Sequence, residues 1–439
     1  TCLLVGMLAF YWQPDESRKL KSAIAAFALA AICPFTVIYV GTILTETWAC
    51  FFVVSLALLT TVALKSSTRR QTLIRWIAVG LLGGLQVFFR PDSGLFVLAV
   101  GLTLVSTLLT RTVSWPKRFA QVMSAGVILS IAFLLVLVPW TIRNWQVFHL
   151  FQPLAPAHAE MPGEFVPRGY QAWLRTWIDD GRYVETVLWP LDDKKIDIDE
   201  MPESAFDSEE QKERVEYLLD QYNNPVDPDA ETPAPSPTPD PNASPTPESQ
   251  ASPSTSESEA AGEPDEEQPE EAVEPDEPLT PEMTPALDAE FAKIAQERIA
   301  KSRLRYYLWL PMKRAWALWV GSHSDYYPFS GELFPLDDID YSIHQQIWLP
   351  LFSVMVFIYS LLGVAGGWVL WRARLVNSRR WLLLVTLLIF IRLAFFSTLE
   401  NPEARYTVEF FPFLAVLGGI ALAGLTRKTI LQKKKTISV

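Results

Sequence analysis

Residues 381–397, WLLLVTLLIFIRLAFFS, are apolar almost throughout and carry a single charge, Arg392, set back from the end of the run. A stretch of this kind reads as a membrane-spanning helix. A charge inside such a helix is costly and ordinarily pairs or faces a cavity, so Arg392 is a functional candidate on its position alone. Further apolar runs lie at 22–44, 47–64, 74–89, 93–110, 119–140, 347–371 and 407–425, with a shorter one at 1–11. The expected fold is therefore an all-α, polytopic transmembrane helix bundle of about eight full spans plus a truncated one. Thr1 stands where an initiator Met would, and the first run is cut short, so the chain reads as a fragment whose natural N-terminus lies upstream.

Threading these runs through a bilayer places Arg18, Lys19 and Lys21; Lys65, Arg69 and Arg70; Arg111, Lys117 and Arg118; Arg372, Arg374, Arg379 and Arg380; and the basic tail from Arg427 to Lys435 on one side. By the positive-inside rule that side, with the C-terminus, is cytoplasmic. Arg90, Arg143, Arg392 and Arg405 fall at or just inside the opposite face, where topology gives no reason for them. Four arginines there point to an anionic ligand held at the extracytoplasmic surface.

Net charge is −12, yet residues 225–290 alone hold 19 acidic residues, no Lys or Arg, and 16 of the 33 prolines. Without them the rest of the chain is net positive, so the acidity describes the insert and not the membrane body. This Pro/Ser/Glu-rich stretch has little apolar surface to offset ordering entropy and is expected to be a disordered tether. The expected organisation is helices over 1–140, an extracytoplasmic region over 141–224, the insert over 225–290, an amphipathic interfacial region over 291–346, helices over 347–425 and a basic tail over 426–439. Within it, Ser208–Gln211 forms a candidate capping box for a helix to about Tyr222. The segment 291–320 is expected to lie along the headgroup layer, with Pro311 breaking or kinking it.

Cys2, Cys33 and Cys50 fall in apolar runs without metal-ligand spacing and read as small packing residues. A metal site needs three or four converging ligands, for which His323, Asp325 and His344 are the candidates; the reading preferred is an aromatic loop packed over the cavity mouth, and no metal or cofactor is expected. There is no nucleic-acid motif or phosphate-binding Gly-rich loop. Trp140, Trp145, Trp173, Trp177 and Trp189 have the character of an interfacial aromatic belt, with stacking on sugar rings as the functional alternative.

Chemistry-bearing residues gather at the outer ends of the spans. They are Glu46 in ILTETWACFFVVSLALL, Arg90 and Asp92 in GLLGGLQVFFRPDSGLFVL, Arg143 and Asn144 in LLVLVPWTIRNWQVFHLFQPLAP, and Glu400, Glu403, Arg405 and Tyr406 in ENPEARYTVEFFPFLAVLGGIAL. This ordered series resembles the GT-C-type integral-membrane glycosyltransferases of family 39, which include protein O-mannosyltransferases and lipid A aminoarabinose transferases. The resemblance covers the membrane body and excludes the acidic insert. It implies a bacterial plasma (inner) membrane enzyme that moves a sugar from a polyprenyl-phosphate donor to a glycan, lipid or protein acceptor on the extracytoplasmic face. It also implies that the catalytic base sits in a loop upstream of Thr1, so that the chain by itself transfers no sugar. Arg392, Arg405, Arg90 and Arg143 are then the expected phosphate ligands, lining one cavity, with Glu46, Asp92, Asn144, Glu400, Glu403 and Tyr406 in support. A lipid-linked oligosaccharide transporter or flippase is the alternative, since it too needs cations for phosphate. A structural membrane anchor leaves Arg392 without a role.

Overall fold

A computed structural model describes residues 1–42, 44–109, 114–154, 165–225, 280–333 and 342–436, with side chains to 424. Among the described residues there are fifteen α-helices and no strand. In chain order they are α1 (Cys2–Trp12), α2 (Lys19–Ala31), α3 (Pro34–Gly41), α4 (Thr45–Leu64), α5 (Arg69–Phe89), α6 (Gly94–Ser106), α7 (Trp115–Phe148), α8 (Arg168–Leu174), α9 (Val184–Val187), α10 (Glu209–Asn223), α11 (Pro285–Lys301), α12 (Leu310–Val320), α13 (Ile343–Arg372), α14 (Val376–Phe396) and α15 (Phe410–Thr436).

Among the described residues, five helical segments are long and apolar enough to cross a membrane: Thr45–Leu64, Arg69–Phe89, Pro91–Leu109, Trp115–Phe148 and Ile343–Arg372. The chain is an integral membrane protein on this ground. A sixth span arises only if α2 and α3 count as one, and their axes bend by 53°. A continuous helix over 22–44 is therefore corrected: Pro34 lacks an N–H and occupies the first turn of α3, so the helix stops at Ala31 and restarts. Helices stand where the last two runs were expected, but α14 carries Arg379, Arg380 and Arg392, and the apolar part of α15, Phe410–Gly424, is short.

The bundle is organised around α15, whose side chains from Phe410 to Ala421 are buried with few breaks. A helix that is apolar all round belongs in the middle, and α2, α13 and α1 pack about it. On the other flank α5 runs beside α7. A Cβ at Gly80 would stand 2.4 Å from the Leu129 carbonyl oxygen, and one at Gly84 2.7 Å from that of Phe133. This spacing of small residues lets the two backbones approach closely. The outward side chains of α7, such as Met123, Ile131 and Leu135, are exposed, as suits a lipid-facing helix.

A second, smaller core lies outside the spans. Tyr170, Trp173, Trp177, Tyr222, Phe291 and Ile294 meet there from α8, α10 and α11 and the turn after α8. Trp173 and Trp177 are buried in it, so neither belongs to an aromatic belt or is open to a sugar. The headgroup-layer reading of 291–320 is corrected for α11: Phe291, Ile294 and Ala295 face this core, and Arg298 is buried, donating to Thr176 Oγ1 at 2.8 Å, Gln211 Oε1 at 2.7 Å and the Ser204 carbonyl at 2.9 Å. The exposed apolar and aromatic side chains come only later, at Leu304, Tyr307, Trp309 and Trp316. Pro311 does not break the helix; a π-helical turn over Arg305–Trp309 absorbs its missing donor, and the interruption falls earlier, at Ser302. The Ser208 hydroxyl accepts from Gln211 N at 3.3 Å, while the Gln211 side chain accepts from Asp207 N and not from Ser208 N as a full capping box would have it.

Arg314 of α12 ties the small core to the bundle. It is buried and donates to the carbonyls of Ile178 at 2.7 Å and Arg175 at 2.6 Å, satisfying oxygens left open where α8 ends. Residues 226–279 of the acidic insert lie outside the described residues. Its expected boundary at 290 is too late, because Thr284 caps α11 and Met283 and Leu287 are buried. The chain leaves and returns at one place: Glu282 N donates to the Tyr222 carbonyl at 3.3 Å, and Met283 N to Asp192 Oδ1 at 2.7 Å. Replacing 226–279 with a short Gly/Ser linker is therefore expected to leave the thermal unfolding temperature in detergent unchanged. Met283→Asp, which puts a charge in the small core, is expected to lower it.

Candidate functional site

One end of the bundle carries a cluster of buried charges drawn from four parts of the chain. Glu46 lies in the first turn of α4, where a carboxylate suits the helix dipole. Arg90 ends α5 in an extended conformation, and the tight turn Pro91–Ser93 brings Asp92 back beside it. Arg392 lies near the end of α14, and Glu409 immediately precedes α15. Arg90 bonds Glu46 at 2.9 Å and Asp92 at 3.2 Å. Arg392 pairs with Asp92, with Glu409 at 3.0 Å, and donates through Nε to the Tyr406 carbonyl at 2.8 Å. Its guanidinium also lies near the rings of Phe96 and Phe396, with centroids at 5.0 and 4.8 Å. Arg392 and Glu409 are both 0% exposed.

These contacts correct the expectation of four arginines open to one phosphate. Arg90 and Arg392 are buried and already paired with three carboxylates, Glu46, Asp92 and Glu409, so neither stands open to a phosphate here. Arg143 is exposed, stacks over Trp140 and Phe148 of its own helix and donates to Asn144 Oδ1 at 3.0 Å. Asn144 in turn donates to the Gln152 carbonyl at 2.8 Å, fastening the chain that leaves α7. Glu400 holds Arg175 at 2.5 Å, which links the small core to the segment before α15.

Arg405 has a different setting. It pairs with Glu403 at 2.5 Å, donates to the Tyr326 hydroxyl at 2.9 Å and lines a cavity of about 510 Å³. Tyr406 joins this cavity to the ion cluster. Its carbonyl receives Arg392, its hydroxyl donates to Glu403 at 3.1 Å, and its ring stacks on Phe396 with Arg90 over it at 5.6 Å. The remaining wall comes from Arg182, Glu185 and Trp189 near α9 and from the loop after α12, which supplies Asp325, Tyr326 and Glu332. That loop is pinned from within: Ser322 N donates to Glu332 at 3.2 Å, and the Ser324 hydroxyl bonds the Gly331 carbonyl at 3.0 Å.

Burial pushes the Asp325 carboxyl up to about 6, with Glu403 adding to the rise and Arg405 opposing it. Burial likewise raises Glu332 to about 8, helped by Asp180. His323 packs between the rings of Phe35 and Phe411, and burial lowers it to about 4, so it is neutral here. Among the described residues no group of three or more His, Cys, Asp or Glu side chains is placed to hold a metal ion. On the far side of Glu46, a groove of about 270 Å³ runs past Cys33, Tyr39, Cys50 and Phe411; Glu46 Oε2 is buried without a hydrogen bond.

Glu409, Glu332 and Arg175 were not singled out in the sequence, and Asp325 was weighed there only as a metal ligand. Glu409 carried a usable signal, since a buried Arg392 requires an opposite charge at a similar depth. Comparisons with protein-family models, with curated proteins and with solved structures return no match.

Two outcomes follow from this geometry. Arg392→Ala strands Glu409, leaves Asp92 with Arg90 alone, and is expected to cost about 3–5 kcal/mol, as removal of one partner of a buried pair does. Replacing Arg392 and Glu409 together by Leu should cost less than the sum of the single changes, measured by unfolding in detergent. The raised carboxyls predict a pH dependence. Their contribution to stability is complete below their ordinary values of 3.8 and 4.5 and is lost as pH rises through about 6 for Asp325 and about 8 for Glu332. The unfolding temperature is expected to fall as the pH is raised from 5 to 9, and Glu332→Gln to flatten the upper part of that fall.

Proposed function

We propose that this protein is a membrane glycosyltransferase that takes a sugar from a polyprenyl-phosphate donor and transfers it to a hydroxyl acceptor on the extracytoplasmic face. The carrying observation is the continuous set of contacts from Glu46 through Arg90, Asp92 and Arg392 to Tyr406 and Arg405, ending at a polar cavity. Three of the four motifs behind the glycosyltransferase resemblance, around Glu46, Arg90–Asp92 and Arg405–Tyr406, meet in that set. The motif around Arg143 does not.

A lipid-linked donor keeps its tail in the bilayer and its phosphate at the helix ends, which is where Arg405 stands. Its planar fork suits phosphate oxygens, and Glu403 and Tyr326 orient it. In the transfer, the acceptor oxygen bonds to the anomeric carbon, the bond from that carbon to the phosphate oxygen breaks, and the lipid phosphate leaves with the electron pair. The acceptor proton passes to a carboxylate. Arg405 offsets the charge that grows on the departing phosphate. The basic connections at Lys65–Arg70 and Arg372–Arg380 belong to the other end of α4, α5 and α14. That asymmetry supports an extracytoplasmic site and a cytoplasmic C-terminus in a plasma membrane.

In the full-length protein in membranes, with a radiolabelled polyprenyl-phosphate sugar, Arg405→Ala is expected to lower transfer by about 10²–10³-fold while folded yield stays near normal. Arg143→Ala should leave transfer close to wild type. Unchanged transfer by Arg405→Ala, or no transfer by the wild-type protein from any such donor, would overturn the proposal.

A further inference from the structure

The cavity beside Arg405 has a composition that selects among ligands. Its walls bring together the carboxyls of Glu185, Asp325, Glu332 and Glu403, the guanidinium groups of Arg182 and Arg405, and one face of Trp189. A multiply charged anion filling this space would meet four acidic side chains, and a cation would meet two arginines. A neutral polyol meets no such conflict, because each hydroxyl both donates and accepts and can use carboxylates and arginines side by side. From these observations we infer that the cavity is a subsite for a pyranose ring, seated against Trp189 and hydrogen-bonded by Asp325 and Glu332. This rests on the transferase reading and deepens it, since the ring belongs either to the donor or to the acceptor.

Three independent features support the assignment. The volume, about 510 Å³, falls within the range of small-molecule sites, roughly 300–1,000 Å³. Asp325 lines the cavity, and its Oδ2 is buried without a hydrogen-bond partner, a cost relieved if the carboxyl turns to meet a ligand hydroxyl. Trp189 is 50% exposed, whereas Trp173 and Trp177, its neighbours in the same region, are enclosed in the small core. Trp189 therefore supplies a flat apolar face on the cavity, the surface on which the C–H face of a sugar packs. Glu332, raised to about 8, is protonated at neutral pH and donates where Asp325 accepts, which suits the mixed character of a hydroxyl row.

The test uses the full-length protein in nanodiscs and three neutral probes, methyl glucopyranoside, methyl galactopyranoside and methyl mannopyranoside. Saturable binding of at least one, read by calorimetry and by tryptophan fluorescence, is expected. Trp189→Ala and Asp325→Asn should each weaken it by about tenfold, with the unfolding temperature of Trp189→Ala unchanged because that side chain is outside the core. If the bound glycoside competes with a polyprenyl-phosphate sugar, the ring is the donor's; if both bind together, it is the acceptor's. No saturable binding of any probe, or binding that both variants leave intact, overturns the subsite. If the probes do not bind while transfer still depends on Arg405, this inference fails and the transferase reading stands. If they bind but no donor supports transfer, the subsite stands and the transferase reading fails.

Discussion

Arg392 has no contact with water, and everything at one end of the bundle is arranged around that fact. An arginine without solvent must find its hydrogen-bond partners within the protein, and its partners here come from Asp92, Glu409 and the Tyr406 carbonyl. Those groups lie on the α5–α6 turn, at the entrance to α15 and in the short turn before it. The ion cluster consequently fixes the relative positions of α14, α15 and the α5–α6 connection, and Arg90 extends the same constraint to Glu46 on α4.

What the cluster holds in place matters more than its own charges. Tyr406 gives its backbone to Arg392 and its hydroxyl to Glu403, so the neighbouring Arg405 is presented to the cavity from a rigid base. The opposite wall depends on the second core. There Arg314 receives the end of α8, Glu400 holds Arg175, and Lys313 reaches Asp179 at 2.8 Å. Buried arginines thus act twice as joints, once within the bundle and once between the bundle and the small helical core. The cavity lies beside both joints. A cavity built this way is positioned by groups that do not line it, which holds its geometry while its own residues remain poorly satisfied.

That division explains the contrast between neighbouring carboxyls. Asp92 has two guanidinium groups to balance it. Asp325 and Glu332 lose water without gaining an equal partner, so their protonated forms are favoured. Unsatisfied groups of this kind are tolerated where a ligand completes them. His323, a few residues away, is equally deprived of water and sits among aromatic rings.

The positions of the main helices were legible in the sequence because a bilayer imposes a length and an apolar composition that a single run of residues must meet alone. Arg392 was legible for the same reason, as the exception inside such a run. Pro34, a local effect on one peptide, could have been read as the break between α2 and α3, yet the apolar count over 22–44 hid it. Pairings were not legible. Nothing in the order of residues distinguishes Arg90, closed by Glu46 and Asp92, from Arg405, open to a cavity, or from Arg143, stacked on its own helix. Nor does amphipathic spacing say whether the face of α11 meets lipid or, as found, the rings of α8. Local composition determines which segments become helices and which faces are apolar; which face covers which, and which charges thereby lose water, is decided only when segments far apart in the chain pack together.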